Sequence, residues 1–124
     1  METLTPNIFV KDIEATIAFY KQLGFALETQ VPEEGTPVWV MMRCESVAMM
    51  FQTLASLADD LPSISRQQGG AVLFYMQTSG IRALFNSLQG KVKVLKGLEK
   101  TFYGATEFSI EDNNGFVLTF AEDE

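Results

Sequence analysis

The chain has 124 residues, of which 47% are hydrophobic and 20% charged, and it carries a formal net charge of −7. This length allows one compact domain with a buried core, and the composition is typical of a soluble globular protein. Because nucleic-acid binding depends on Lys and Arg contacts to phosphate, the acidic balance argues against a nucleic-acid partner. It would attract cationic ligands or partners, although solubility alone also explains such a charge.

The chain contains no histidine and a single cysteine, Cys44. Zinc, nickel and iron sites depend heavily on imidazole, and so do proton shuttles near neutral pH, so both kinds of site are disfavoured. One cysteine excludes an internal disulfide and fits a reducing compartment. With no run of about 20 apolar residues and no signal-peptide pattern, we expect a cytoplasmic protein without a membrane span.

The first half of the sequence predicts a strand, a helix and three further strands. Residues 4–10 alternate as a strand does, with Pro6 in its first part. Asp12 is expected to cap a helix that ends at Gly24. The further strands are predicted at 25–31, 38–44 and 47–53, with a loop at 32–37.

The second half predicts the same order after a connector at residues 54–69 that has room for a short helical turn. A strand at 71–77 precedes a helix that starts at Ser79 or Gly80 and stops at Gly90. The remaining predictions are a strand at 92–95, a loop at 96–104 and a β-hairpin at 106–121 that turns at Asp112-Asn113-Asn114-Gly115.

This order is an internal βαβββ repeat, with modules at about 1–55 and 70–124 and a connector at about 56–69. We therefore predict an α+β fold in a single domain, 1–124. Since neither module is expected to bury its sheet alone, the modules should pair within one chain or across a homodimer.

Alternation along the strands separates an apolar face from a mixed one. The predicted core face holds Val38, Val40, Met42, Cys44, Val47, Met49 and Phe51 in the first module, and Phe108, Ile110, Phe116, Leu118 and Phe120 in the hairpin. The opposite face carries Trp39, Met41, Arg43, Ala48, Met50 and Gln52 in the first module, and Glu107, Ser109, Glu111, Val117, Thr119 and Ala121 in the hairpin. This mixed face is the expected ligand surface.

Several segments together resemble the vicinal oxygen chelate superfamily, which includes glyoxalases, extradiol dioxygenases and bleomycin-resistance proteins. They are Asn7-Ile8-Phe9-Val10-Lys11-Asp12, Ala18-Phe19-Tyr20, Leu23-Gly24-Phe25 and the turn Glu111–Gly115. The resemblance implies that two βαβββ modules form a concave mixed sheet and that the protein is a homodimer.

The resemblance also implies where a family metal would bind. Its ligands would come from the first, fourth, fifth and eighth strands, at Thr5, Met50 or Gln52, Ala71 and Thr119. None of these is a histidine or a carboxylate, and alanine cannot ligate an ion. We therefore expect no metal and no other cofactor, and the sequence favours binding over catalysis.

The sequence thus predicts a bleomycin-resistance-like dimer that sequesters a drug or toxin without transforming it. The expected ligand-binding residues are Asn7, Phe9, Trp39, Met41, Arg43, Met50, Gln52, Tyr75, Tyr103 and Glu107. Trp39 would stack on an aromatic or cationic ligand, or would instead pack as a hydrophobic side chain at the sheet or dimer interface. Arg43 would bind an anionic group of the ligand, or would pair with Glu28 or Glu45 instead.

Two alternatives stay open. One is a lyase or isomerase of the glyoxalase or dioxygenase kind with a relocated metal site built from acids such as Glu28, Glu107 and Glu111. The other is a structural or regulatory dimer whose cavity is filled by its own aromatic and methionine side chains. Metal analysis of the purified protein would distinguish the enzyme from the binding protein. Titration with planar cationic compounds, followed by Trp39 fluorescence, would distinguish the binding protein from the dimer with a filled cavity.

Overall fold

A computed structural model describes residues 1–124, and its element order confirms the predicted repeat. The elements are β1 (Asn7–Val10), α1 (Ile13–Gln22), β2 (Ala26–Val31), β3 (Trp39–Cys44), β4 (Val47–Thr53), α2 (Leu54–Leu57), β5 (Leu73–Gln77), α3 (Ile81–Leu88), β6 (Lys93–Lys100), β7 (Ala105–Glu111) and β8 (Val117–Asp123). They form two compact units, Met1–Gln67 and Gln68–Glu124. Each unit contains one four-stranded mixed sheet, so the α+β class is confirmed.

The sheet of the first unit has the order β1-β4-β3-β2, with β1 parallel to β4 and the other pairs antiparallel. Its buried face holds Val40, Met42, Met49 and Phe51, as the alternation predicts. Tyr20 of α1 is fully buried, and its ring lies 4.7 Å from that of Phe51. The helix therefore covers the apolar face and leaves the opposite face of the sheet uncovered by α1.

Helix α1 begins and ends as predicted. The Asp12 carboxylate accepts a hydrogen bond of 3.0 Å from the Ala15 backbone N–H. Gly24 follows the C-cap with φ +102°, a conformation that only glycine adopts readily.

The sheet of the second unit has the order β5-β8-β7-β6, with β5 parallel to β8. Phe108 and Phe120 stack with ring centroids 5.0 Å apart, and Phe85 of α3 meets Phe108 edge-on at 5.1 Å. The N-terminus of α3 is capped from β8, because the Glu122 carboxylate accepts from the Gly80 and Ile81 N–H groups at 3.0 and 3.1 Å. Sequence reasoning placed this start at Ser79 or Gly80 but did not foresee the distant cap.

Some predicted bounds were wrong. The predicted loop at 96–104 is strand as far as Lys100, since β6 continues its pairing with β7 through two register shifts. Gly97, which lies at the second shift, obscured the strand because glycine is depleted in strands and marks bulges. The strands predicted at 4–10 and 71–77 begin later, so Thr5 and Ala71 precede β1 and β5. Val38 precedes β3 and is 40% exposed, so it does not join the core.

The hairpin turn between β7 and β8 is built around Asp112. Its Oδ1 accepts from the backbone N–H of Asn114 at 2.8 Å and of Phe116 at 2.9 Å. Its own N–H donates to the Phe116 carbonyl at 2.8 Å, and Gly115 takes φ +85°. Asp112 is 5% exposed, so these hydrogen bonds are shielded from water and fix the turn.

Replacing Asp112 tests this turn. Asp112→Ala leaves two backbone donors without their acceptor and is expected to lower the free energy of unfolding by roughly 2–4 kcal/mol. Asp112→Asn is the matched control, since its amide oxygen can occupy the place of Oδ1. Denaturant titration measures both variants, and an equal loss in both would show that charge, not the hydrogen bonds, stabilises the turn.

Candidate functional site

A pocket of about 380 Å³ lies on the face of the second unit's sheet that α3 leaves uncovered. Its lining residues are Leu73, Tyr75, Leu95, Lys96, Glu99, Tyr103, Glu107, Phe108, Ser109, Val117 and Thr119. The side chains come from all four strands and from the turn between β6 and β7. This combination of aliphatic and aromatic walls with a few polar groups is typical of small-molecule sites.

Glu107 is the polar centre of the pocket. Tyr75 of β5 donates its hydroxyl to Oε2 of Glu107 at 2.6 Å, and Tyr103 donates to the same oxygen at 2.5 Å. The structure gives Oε1 no hydrogen bond and Glu107 no ion pair. Two phenols therefore hold the carboxylate in place and leave one of its oxygens available to a ligand.

The carboxylate also changes the acidity of both phenols. The hydrogen bond to Glu107, with desolvation and the negative charge of Glu107 acting in the same direction, raises the pKa of Tyr75 to about 12. The same hydrogen bond raises the pKa of Tyr103. Both tyrosines therefore stay protonated, as hydrogen-bond donors, at physiological pH.

A second carboxylate lies beside Glu107, on the neighbouring strand β6. Glu99 of β6 is the direct cross-strand partner of Glu107, and both residues line the pocket. Two neighbouring lysines are already engaged, Lys93 with Glu111 at 3.5 Å and Lys100 with Glu124 at 3.4 Å. Lys96 lines the pocket without forming an ion pair in the chain.

The other predicted ligand-binding residues lie in the first unit. Strand register places Asn7, Met41 and Met50 side by side, and Phe9, Trp39 and Gln52 in the next row of the same face. Asn7 donates to the Gln52 amide oxygen at 3.1 Å, and Gln52 donates to Ser56 at 3.1 Å. Trp39, Met41 and Met50 are half-buried.

Arg43 forms an ion pair with Glu28 at 3.0 Å, so Glu28 and not Glu45 is its partner.

Of the ten predicted ligand-binding residues, three form one hydrogen-bonded group in the second unit: Tyr75, Tyr103 and Glu107. Sequence reasoning missed Lys96 and Glu99, because their part of β6 was predicted as a loop, and it missed Leu95, the last residue of the strand predicted at 92–95. It also missed Leu73, whose strand was predicted to start two residues earlier.

The sequence-family model for the glyoxalase/bleomycin resistance protein/dioxygenase superfamily matches residues 3–120 of the chain. The chain belongs to this superfamily. This confirms the resemblance derived from the sequence segments. No curated protein matches the chain significantly in sequence.

Solved structures share the fold at low sequence identity. A protein of unknown function from Agrobacterium tumefaciens is 22% identical with a TM-score of 0.82, over 100% of this chain and 95% of that one. A glyoxalase/bleomycin resistance protein/dioxygenase family enzyme from Burkholderia phytofirmans is 19% identical with a TM-score of 0.77, over 97% of each chain. A bleomycin-binding protein complexed with bleomycin is 18% identical with a TM-score of 0.68, over 100% of both chains.

The structure refines the equivalence between the two units at the expected metal-ligand positions. Asp12 and Gly80 are equivalent N-caps, so the counterpart of Thr5, seven residues before its cap, is Leu73 and not Ala71. By the same equivalence Asn7 corresponds to Tyr75, and their parallel-strand partners are Met50 and Thr119. Of Met50 and Gln52, Met50 is therefore the fourth-strand counterpart of Thr119.

These residues do not fit a metal ion. Leucine has no donor atom, and a lone thioether or hydroxyl is a weak ligand for zinc or iron. The Thr119 hydroxyl also shares a 2.8 Å hydrogen bond with Ser109. Nowhere in residues 1–124 do three or more His, Cys, Asp or Glu side chains come together as a metal site would require.

None of the three helices has the length and apolarity needed to cross a membrane.

The Tyr75–Glu107 hydrogen bond makes a prediction about pH. Because the folded-state pKa of about 12 exceeds the ordinary value of 10.0, the stabilising contribution of Tyr75 is complete below pH 10.0 and is lost as pH rises through about 12. In Glu107→Gln the Tyr75 pKa is expected to fall back toward its ordinary value. Phenolate absorbance in a Tyr103→Phe background measures this shift, and an unchanged titration would refute the assigned cause.

Proposed function

We propose that this protein binds a small organic molecule in the pocket of its second unit without help from a metal ion. The observation that carries the proposal is a largely apolar pocket of about 380 Å³ in which one carboxylate, Glu107, is fixed by two tyrosines. This volume lies within the range of about 300–1,000 Å³ common for ligand sites. The shared fold with a protein solved in complex with bleomycin supports a binding role.

The side chains in the pocket favour binding over transformation. Both tyrosines are weaker acids than an ordinary tyrosine, because their hydrogen bonds to Glu107 raise their pKa values. The residues at the superfamily's metal positions do not supply ligands for a Lewis acid. We propose sequestration of a drug or toxin as the biological role.

We also propose that the protein works as a cytoplasmic homodimer. Large hydrophobic side chains outside the pocket remain exposed in the single chain, including Val31 at 51%, Val38 at 40%, Leu61 at 56% and Phe102 at 100%. Contact with a second copy of the chain would remove these apolar side chains from water. The lone Cys44, whose thiol pKa is raised by burial, fits a reducing compartment.

Dimerisation is tested by sedimentation equilibrium over a range of protein concentrations. We expect a species of twice the chain mass. A single monomeric species at the highest concentration would rule out the dimer and leave the pocket proposal standing.

Binding is tested with naphthylmethanol, a neutral aromatic probe, on protein treated with a chelator. We expect saturable changes in proton–nitrogen NMR shifts at pocket residues such as Ser109 and Thr119. Val117→Phe, which fills the pocket, should weaken binding by about tenfold, equivalent to about 1.4 kcal/mol. Val72→Phe is the matched control, because Val72 is 47% exposed and does not line the pocket.

Two results would count against metal-free binding. One is loss of probe binding on chelation with recovery on adding zinc or iron. The other is equal binding to wild type and Val117→Phe, which would place the probe elsewhere on the protein.

A further inference from the structure

We propose that this pocket selects organic cations, namely molecules in which a protonated amine or amidine is attached to an apolar aromatic body, with Glu107 as the counterion. The inference rests on the proposed binding function and specifies its ligand class. Three features of the pocket support it: the unused oxygen of Glu107, the charges around that oxygen and the composition of the walls.

The first feature is the way in which Glu107 is held. Both tyrosine hydroxyls donate to Oε2, so Oε1 keeps its capacity to accept hydrogen bonds. A protonated amine or amidine donates N–H groups to a carboxylate in short, charge-assisted hydrogen bonds. An anionic ligand would meet repulsion at the same place. The tyrosine clamp thus presents a fixed negative acceptor to the pocket.

The second feature is that no cation of the chain forms an ion pair with this acceptor. Lys96 lines the same pocket, but no salt bridge joins it to Glu107. Glu99 lies directly across from Glu107, and like charges in this arrangement are destabilising. The lysines on either side of this pair, Lys93 and Lys100, form ion pairs with Glu111 and Glu124. A ligand cation between the two carboxylates would offset the repulsion, and the net charge of −7 would attract it from a distance.

The third feature is the aromatic and aliphatic wall beside the carboxylate. Tyr75 is 49% exposed and Tyr103 is 57% exposed, so both rings present surface to a ligand. Leu73, Leu95 and Val117 complete the apolar lining. A flat apolar body stacks on such rings, and a cation near their faces gains a further attraction.

The experiment compares three probes that share one aromatic body: naphthylmethylamine, which is protonated at neutral pH, naphthylmethanol and naphthoate. Calorimetry or NMR titration at low ionic strength gives each dissociation constant. We expect the amine to bind about tenfold more tightly than the alcohol, and naphthoate more weakly than both. The preference for the amine should shrink with added salt, because mobile ions screen the attraction.

Glu107→Gln should reduce the preference for amine over alcohol to about twofold or less, because the amine loses more affinity than the alcohol does. Glu111→Gln is the matched control, since Glu111 lies on the same strand, pairs with Lys93 and does not line the pocket. Equal affinity of amine and alcohol for the wild type would overturn cation selection, yet alcohol binding would still support the pocket itself. Failure of all three probes would refute the binding function as well.

Tyr75 and Tyr103 act here as positioning residues. In Tyr75→Phe and Tyr103→Phe, the Glu107 carboxylate loses one donor each, and the ratio of amine to alcohol affinity should fall by a few-fold in each variant. A role limited to packing would lower the affinities of amine and alcohol equally. An unchanged ratio in the double variant would show that the clamp does not set the specificity.

Discussion

The register of the β7–β8 hairpin is the constraint on which the second unit depends, and the buried Asp112 turn fixes it. A slip of one residue between these strands would move every side chain to the opposite face of the sheet. Phe108 and Phe120 would then face outward, and Glu107 would enter the core as an unpaired charge, at a cost of several kcal/mol. Core and pocket are therefore two consequences of one alignment. The turn holds that alignment with backbone hydrogen bonds to a carboxylate that is 5% exposed.

The pocket can carry charge because only one face of the sheet in the second unit is covered by a helix. Helix α3 covers only the apolar face of its sheet, where Phe85 meets Phe108. On the uncovered face a carboxylate keeps partial contact with water, so its desolvation stays modest. Two phenols then order it without neutralising it, because a phenol with a raised pKa donates a hydrogen bond but brings no positive charge. The result is an ordered anion beside apolar surface, an environment that favours a cation with an apolar body.

The sequence predicted most of the fold, because alternation in strands and capping at helix ends are local signals. Asp12, Gly24 and the Asp112 turn could be recognised from neighbouring residues alone. What it missed depends on partners distant in the chain. Glu122 caps α3 from about 40 residues away, and β6 extends past Gly97 because β7 offers it a partner. The grouping of Tyr75, Tyr103 and Glu107 also required the strand order, since their spacing along the chain follows no motif.

The strand register also shows where the charged group of the pocket lies relative to the expected metal-ligand position on β8. Thr119, at the eighth-strand ligand position, bonds to Ser109, its partner in the neighbouring strand. Glu107 lies two residues before Ser109, on the same face of β7. The charged group of the pocket is thus displaced by one row and one strand from the position where a metal ligand would stand. Strand register shapes this pocket, and its charged group is a carboxylate held by two phenols.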